Sequence, residues 1–320
     1  MNTKDLHKFL FDGLPVRGAL VRLTDSWRQV LARRASVGAF APPVRALVGE
    51  MAAAGVLMQS SLKFDGVLLL QLHGDGPVKL AVAEVKSDLS FRATATLVGE
   101  VSVEARLQEM VNVHGKGRCA ITLDAKDRQH GTQPYQGVVP LHDDQRMPLN
   151  AFSEVLEHYM LQSEQLDTRL VLAANDEVAA GLLIQRMPIS EAAKRAGFSN
   201  EDEIGINDAF NRIAHLCATV TREELLTLDA GTLLQRLFWE EPLQCFEPRT
   251  ARFRCSCSRM RVRHMLVGLG RAELEDIIVE RNVVEVGCEF CGQQFQFDAV
   301  DVGEMLTPER DHPPTSRALQ

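Results

Sequence analysis

The segments Cys255-Ser256-Cys257 and Cys288-Glu289-Phe290-Cys291 place four of the chain's seven cysteines within 37 residues. No other feature limits the fold so tightly. Four thiols in two close pairs, thirty residues apart, read as packing, disulfides or metal ligands, or as more than one of these at different times. The stretch from Cys288 to Gly292 has the shape of a zinc knuckle. Two thiolates separated by two residues grip one ion from a tight turn, and Gly292 lets the backbone fold round it. Four thiolates suit Zn²⁺ in a closed tetrahedral site. The ion also answers a size problem, because a unit of about fifty residues is near the limit at which a core alone suffices. Structural zinc contributes about 10–16 kcal/mol of apparent binding energy in small peptides.

The spacing carries a second implication. C-x-C is unusual for a purely structural site, where C-x-x-C is the common step. A bond between Cys255 and Cys257 would close a very short ring, and strained disulfides are labile and more oxidising. Oxidation within each pair would consume the thiolates, expel the metal and leave residue 255 untied from residue 291. A small unit would then lose most of its folding energy. Spacing alone leaves three connectivities open.

The remaining thiols, Cys119, Cys217 and Cys245, fall on apolar runs and read as inert core cysteines. The chain is 45% hydrophobic with a net charge of -8 and a pI near 5.6. That composition supports a real core and argues against general binding of nucleic acid or anionic membranes. The N-terminus has no signal-peptide pattern and no apolar run reaches membrane-spanning length, so the expected compartment is the cytosol, where thiols stay reduced.

Residues 1–187 mix strands and helices without regular alternation, which predicts an α+β core domain. Residues 14–24 and the runs on either side of Gly74-Asp75-Gly76-Pro77 read as strands, the latter as a hairpin. Helices are expected at 25–34, with Thr24 or Asp25 as cap, after Pro42-Pro43, and at 151–166, with Phe152, Val155, Leu156, Tyr159 and Met160 on one stripe. Residues 188–250 read as a helical linker, with Ile206, Phe210, Ile213, Cys217 and Val220 on one apolar seam that needs a neighbour. Residues 251–300 form the four-cysteine zinc and redox-switch domain, and the polar, proline-rich 301–320 is expected to be a disordered tail. Arg252, Arg254, Arg259, Arg261 and Arg263 flank the first cysteine pair. They either lower the thiol pKa values or form a solvated face balanced by Glu273, Glu275, Asp276 and Glu280. His114 to Arg118 and Gly268 to Glu273 lack the full spacing of phosphate-binding loops. Ser153, Glu154 and His158 are helix neighbours rather than a triad, and no catalytic constellation is present.

With its C-x-C and C-x-x-C pairs the chain resembles the heat-shock protein 33 family of redox-regulated bacterial chaperones. The stretches LPVRG (14–18), LKFDGVLLLQLHGDGP (62–77), YQGVVPL (135–141), YMLQSEQ (159–165) and AAGLLIQRMP (179–188) extend the resemblance over nearly the whole chain. Asp167 stands where the family usually has proline, and 91–97 lacks an Arg-Gly-aromatic run. The resemblance implies one Zn²⁺ per chain on Cys255, Cys257, Cys288 and Cys291 in an inactive, monomeric, reduced form. It implies that oxidation forms Cys255–Cys257 and Cys288–Cys291, releases zinc and unfolds switch and linker. The product would be a homodimer that holds unfolding client proteins without ATP. Melting would expose Ile206, Phe210 and Ile213 as an apolar binding surface. Two other readings compete: a zinc-ribbon nucleic-acid binder, supported by the arginine run, and a thiol-disulfide oxidoreductase, for which the strand-turn-strand context of Cys288 is wrong.

Overall fold

A helix that is apolar on most of its surface must be buried over most of its length, and residues 42–61, with Arg45 and Glu50 as their charged members, form such a helix. In the computed structural model, which describes residues 4–127, 133–188 and 200–306 (backbone only over 200–206), that helix is the centre of the larger of two compact units, Met1–Arg254 and Cys255–Gln320. The first unit contains β1 (Leu6–Phe11), β2 (Val16–Leu23), α1 (Asp25–Ala35), α2 (Pro42–Ser61), β3 (Gly66–His73), β4 (Val78–Lys86), β5 (Ser90–Leu97), α3 (Leu107–Val111), β6 (Arg118–Ala125), β7 (Tyr135–Pro140), α4 (Phe152–Glu164), β8 (Thr168–Ala174) and β9 (Ala179–Arg186). It continues through α5 (Asn200–Ala218), α6 (Arg222–Thr227), α7 (Ala230–Leu237), β10 (Leu243–Cys245) and β11 (Arg252–Phe253).

The strands form an antiparallel five-stranded sheet, β10-β1-β2-β9-β8, and a six-stranded sheet, β11-β5-β4-β3-β6-β7, in which only β11 joins parallel. Helix α2 lies between them, started by Pro42 and Pro43, whose missing N–H groups cost nothing in a first turn. Its close packing depends on small residues. A Cβ on Gly49 would come within 2.4 Å of the Ala174 Cβ and 3.0 Å of the Trp27 ring. The hairpin expected at 74–77 joins β3 to β4, with His73 opposite Leu80. Asp75 in that turn accepts the backbone N–H groups of His114 and Lys116 at 3.1 and 2.8 Å, so the Gly-Lys-Gly stretch folds over a carboxylate. Thr24 is the N-cap of α1 but makes no side-chain capping bond; Asp25, one residue on, pairs with Arg28 instead.

The five-stranded sheet is buried on both faces. Ala19, Val21 and Leu23 of β2 point into the core around α2, whereas Val16 and Leu20 point the other way. That second face carries Phe9, Phe11, Ala180, Leu182 and Ile184, and the helices of the linker region cover it. Phe210, Ile213, Cys217 and Val220 of the α5 seam are all buried there, joined by Leu225, Leu233, Leu237 and Phe238. The side chain of Ile206 lies outside the described residues. Phe238 meets Phe11 edge-on, with ring centroids 5.1 Å apart. Thr221 and Glu224 form a capping box at α6, and Asp229 caps α7.

The linker region carries α5, α6 and α7 and closes with the short strand β10, which pairs with β1 through Phe9 and Cys245. Two expectations need correction. The tail does not begin at 301: a helix over Ala299–Leu306 buries Val302 and Met305, whose apolar side chains find the small core of the second unit. And Cys245 is exposed on an edge strand, unlike the buried Cys119 and Cys217, whose thiols burial pushes up to about 12. No helix among the described residues is long and apolar enough to cross a membrane.

Candidate metal centre

The second unit is built on α8 (Arg259–Val267), α9 (Arg271–Arg281), the hairpin of β12 (Val283–Gly287) and β13 (Gln294–Asp298), and α10 (Ala299–Leu306). Its core is small, with Val262, Leu266, Leu274, Val284, Phe295, Phe297, Val302 and Met305 buried. The hairpin loop holds the C-x-x-C pair. The N–H of Cys288 donates to the Gln293 carbonyl at 2.9 Å, and those of Cys291 and Gly292 donate to the Cys288 carbonyl at 3.3 and 2.7 Å. Gly292 has φ +70°, the left-handed conformation that closes this knuckle. Cys255 and Cys257 sit on the extended segment ahead of α8, where Ser258 caps the helix by accepting the Arg261 N–H.

The fold brings all four sulfurs within 4.8 Å of one another. Two close approaches run across the pairs, 3.6 Å from Cys255 to Cys288 and 3.3 Å from Cys257 to Cys291. Cys291 is buried and the other three are half-buried. Burial resists ionisation of Cys255, but the N–H of Cys257 and the thiols of Cys257, Cys288 and Cys291 overcome it and draw that thiol down. Cys257 and Cys288 go up, first by burial and then through the neighbouring thiols. One thiolate is thus supported by its neighbours, and ionising all four requires a positive charge among them. A closed, soft, all-sulfur donor set of this size fits a zinc site.

The arginines are differently engaged than expected. Arg259 bridges elements of the unit, donating to the Gln296 carbonyl and to Asp301, both at 2.7 Å, with its guanidinium 4.3 Å from the centroid of Phe297. Arg261 donates to the Ser256 carbonyl at 3.0 Å, bracing the backbone between the first two cysteines. The partner of Arg259 is Asp301, a residue expected in the tail; Glu275 and Glu280 pair with Arg271 and Arg281.

Fold and site together define a two-unit α+β protein with a metal-competent cluster of four thiols. The family model described as Hsp33 protein matches residues 4–298, and the chain belongs to the Hsp33 chaperone family. A 33 kDa chaperonin of Chromobacterium violaceum is 43% identical over 96% of this chain and 95% of its own length. One from Methylobacillus flagellatus is 40% identical, covering 95% and 94%. The crystal structure of the 33 kDa chaperonin of Thermotoga maritima superposes with a TM-score of 0.72 over 95% of this chain and 98% of that one; at 20% identity it bears on the fold alone.

Proposed function

We propose that the chain is a redox-regulated, ATP-independent holdase whose switch is the four-sulfur cluster. The observation that carries the reading is the convergence of Cys255, Cys257, Cys288 and Cys291 within 4.8 Å in a unit with few buried apolar residues. In the reduced chain these four residues would hold one Zn²⁺, which supplies a cross-link and the positive charge that four thiolates need. Each oxidised pair of thiolates gives up two electrons, and the solvent supplies two protons. With peroxide as acceptor, the O–O bond breaks and two waters form for every S–S bond made.

The family resemblance favours local pairing, Cys255 with Cys257 and Cys288 with Cys291. Sulfurs so joined retain no thiolate for an ion and no link between the extended segment and the knuckle. The second unit then rests on its small apolar core, which is near the lower limit for independent stability. Loss of order spreading into α5, α6 and α7 would bare Phe210, Ile213, Leu233 and Phe238 together with the sheet face beneath them. A contiguous apolar surface of that kind binds the exposed apolar segments of unfolding proteins. Dimerisation of the oxidised form and residence in the cytoplasm belong to the same reading.

The test is to treat reduced, zinc-loaded protein with peroxide while measuring zinc release, disulfide connectivity by mass spectrometry and suppression of client aggregation. Zinc retained after full oxidation, or released without any holdase activity, rejects the reading.

A further inference from the structure

The core between the two sheets is not closed where α2 ends. A cavity of about 80 Å³ opens there, walled by Met58, Leu68, Ile121, Leu123 and Met160. Its polar end is Arg17, the arginine of the LPVRG stretch, which stands opposite Gln185 across the β2–β9 pair. Arg17 Nε donates to Gln185 Oε1 at 3.0 Å, Nη2 reaches the same oxygen, and Nη1 donates to the Ser61 carbonyl at the end of α2 at 3.3 Å. Gln185 Nε2 passes the chain on to Thr168 Oγ1 at 2.8 Å.

Every acceptor in this row is neutral. A guanidinium carries five N–H donors; three are used, so two remain. Burial draws the Arg17 pKa down, and no carboxylate among the described residues offsets that effect. Glu164 also borders the cavity, but it is exposed, and its Oε1 accepts the hydroxyls of Tyr159 and Tyr135 at 2.8 and 3.2 Å. An apolar pocket with a few converging polar groups is the usual form of a small-molecule site. Size selects the ligand further: an engineered cavity of about 150 Å³ admits benzene, so roughly half that volume takes an aliphatic tail of about four carbons and no long acyl chain.

We propose that this cavity is a binding site for a short aliphatic monocarboxylate. The carboxylate takes the two spare N–H groups of Arg17 as charge-assisted hydrogen bonds, and the tail lies against Met58, Leu68, Ile121 and Leu123. The site lies wholly within the first unit and does not depend on the cysteine cluster. Because such a ligand binds the folded first unit and not the unfolded chain, it stabilises that unit by mass action.

Met58 and Met160 provide a local readout. The reduced, full-length protein, labelled with ¹³C at the methionine methyls, is titrated with pentanoate, and separately with pentanol and pentylammonium. Met58→Leu and Met160→Leu assign the two signals. The expected result is saturable shifts of both methyls with pentanoate at millimolar affinity, binding of pentanol weaker by about tenfold or more, and none of pentylammonium. Leu166→Phe, at the half-exposed rim, should weaken pentanoate binding while leaving Arg17 in place. Arg17→Gln should bring pentanoate down to the level of pentanol. The alcohol comparison keeps the test decisive if that variant does not fold. Equal response to acid and alcohol, shifts spread over the other methionines without saturation, or no shift at all would each overturn the proposal.

Discussion

Replacing Ile213 with alanine tests whether packing on the five-stranded sheet is what keeps the linker helices silent. Ile213 is fully buried in the α5 seam, against a sheet face that includes Phe9, Leu182 and Ile184. Truncating a buried isoleucine to alanine costs about 2–5 kcal/mol, through lost transfer energy and the cavity left behind. At a middle value of about 3 kcal/mol, with each 1.4 kcal/mol worth about a factor of ten, the population of released linker rises on the order of a hundredfold. Native-state hydrogen exchange reads this directly. Amides of residues 210–237 should lose about two decades of protection, whereas the β3–β4 hairpin in the other sheet keeps its own. The same reduced variant should suppress aggregation of a heat-unfolding client without oxidant. Unchanged exchange in α5 would refute the packing argument. Faster exchange with no gain in holdase activity would refute the assignment of this seam as client surface.

Stripping metal from the reduced protein with a chelator should abolish ordered signals from residues 259–306 and leave those of the first unit intact, since roughly 10–16 kcal/mol of apparent folding energy goes with a structural zinc; retained near-ultraviolet and methyl signals from the unit, with Phe295 and Phe297 still packed, would contradict this. Cys291→Ser should give the same spectrum and release less than one equivalent of zinc on oxidation. Glu50 on α2 is raised from 4.5 to about 7 by burial, against the pull of Arg222 at 3.7 Å. The folded chain therefore binds a proton there that the unfolded chain has lost between those pH values, and stability falls as pH rises through that window. Glu50→Gln should accordingly be more stable than the parent at about pH 8, by at most about 3 kcal/mol, with the difference vanishing near about pH 4; a denaturant melt showing the same difference at both pH values would refute it. Gly49→Val should unfold the first unit or cost several kcal/mol, because a Cβ already meets Ala174 at 2.4 Å; a melting temperature within a few degrees of the parent would show that α2 can shift.

Much of the architecture was legible because its signals are local. Strands β2, β3, β4, β6, β8 and β9 follow apolar runs bounded by turns, and the stripe of α4 buries Phe152, Val155, Leu156 and Tyr159 as its spacing requires. What escaped lacked a local signature. β1, reading Leu-His-Lys-Phe-Leu-Phe, is interrupted by two polar residues. β10 and β11 are three and two residues long and exist only because β1 and β5 offer open edges. α10 was hidden by the polar, proline-rich sequence after it. Arg259 was visible as one of a basic run, but its bond to Asp301 joins residues 42 positions apart and no spacing rule finds such a pair.

Taken alone, the sequence pointed to a meeting of four thiols, because two short spacings bring each pair to one turn and a soft tetrahedral donor set is what such pairs can build; their convergence within 4.8 Å came from the fold. The sequence also determined that residues 210–220 present an apolar stripe, since helical periodicity is written residue by residue. Which surface receives that stripe was decided only by tertiary structure. Periodicity states that a face avoids water and is silent about its partner; here the partner is the second face of a sheet whose first face is already filled by α2.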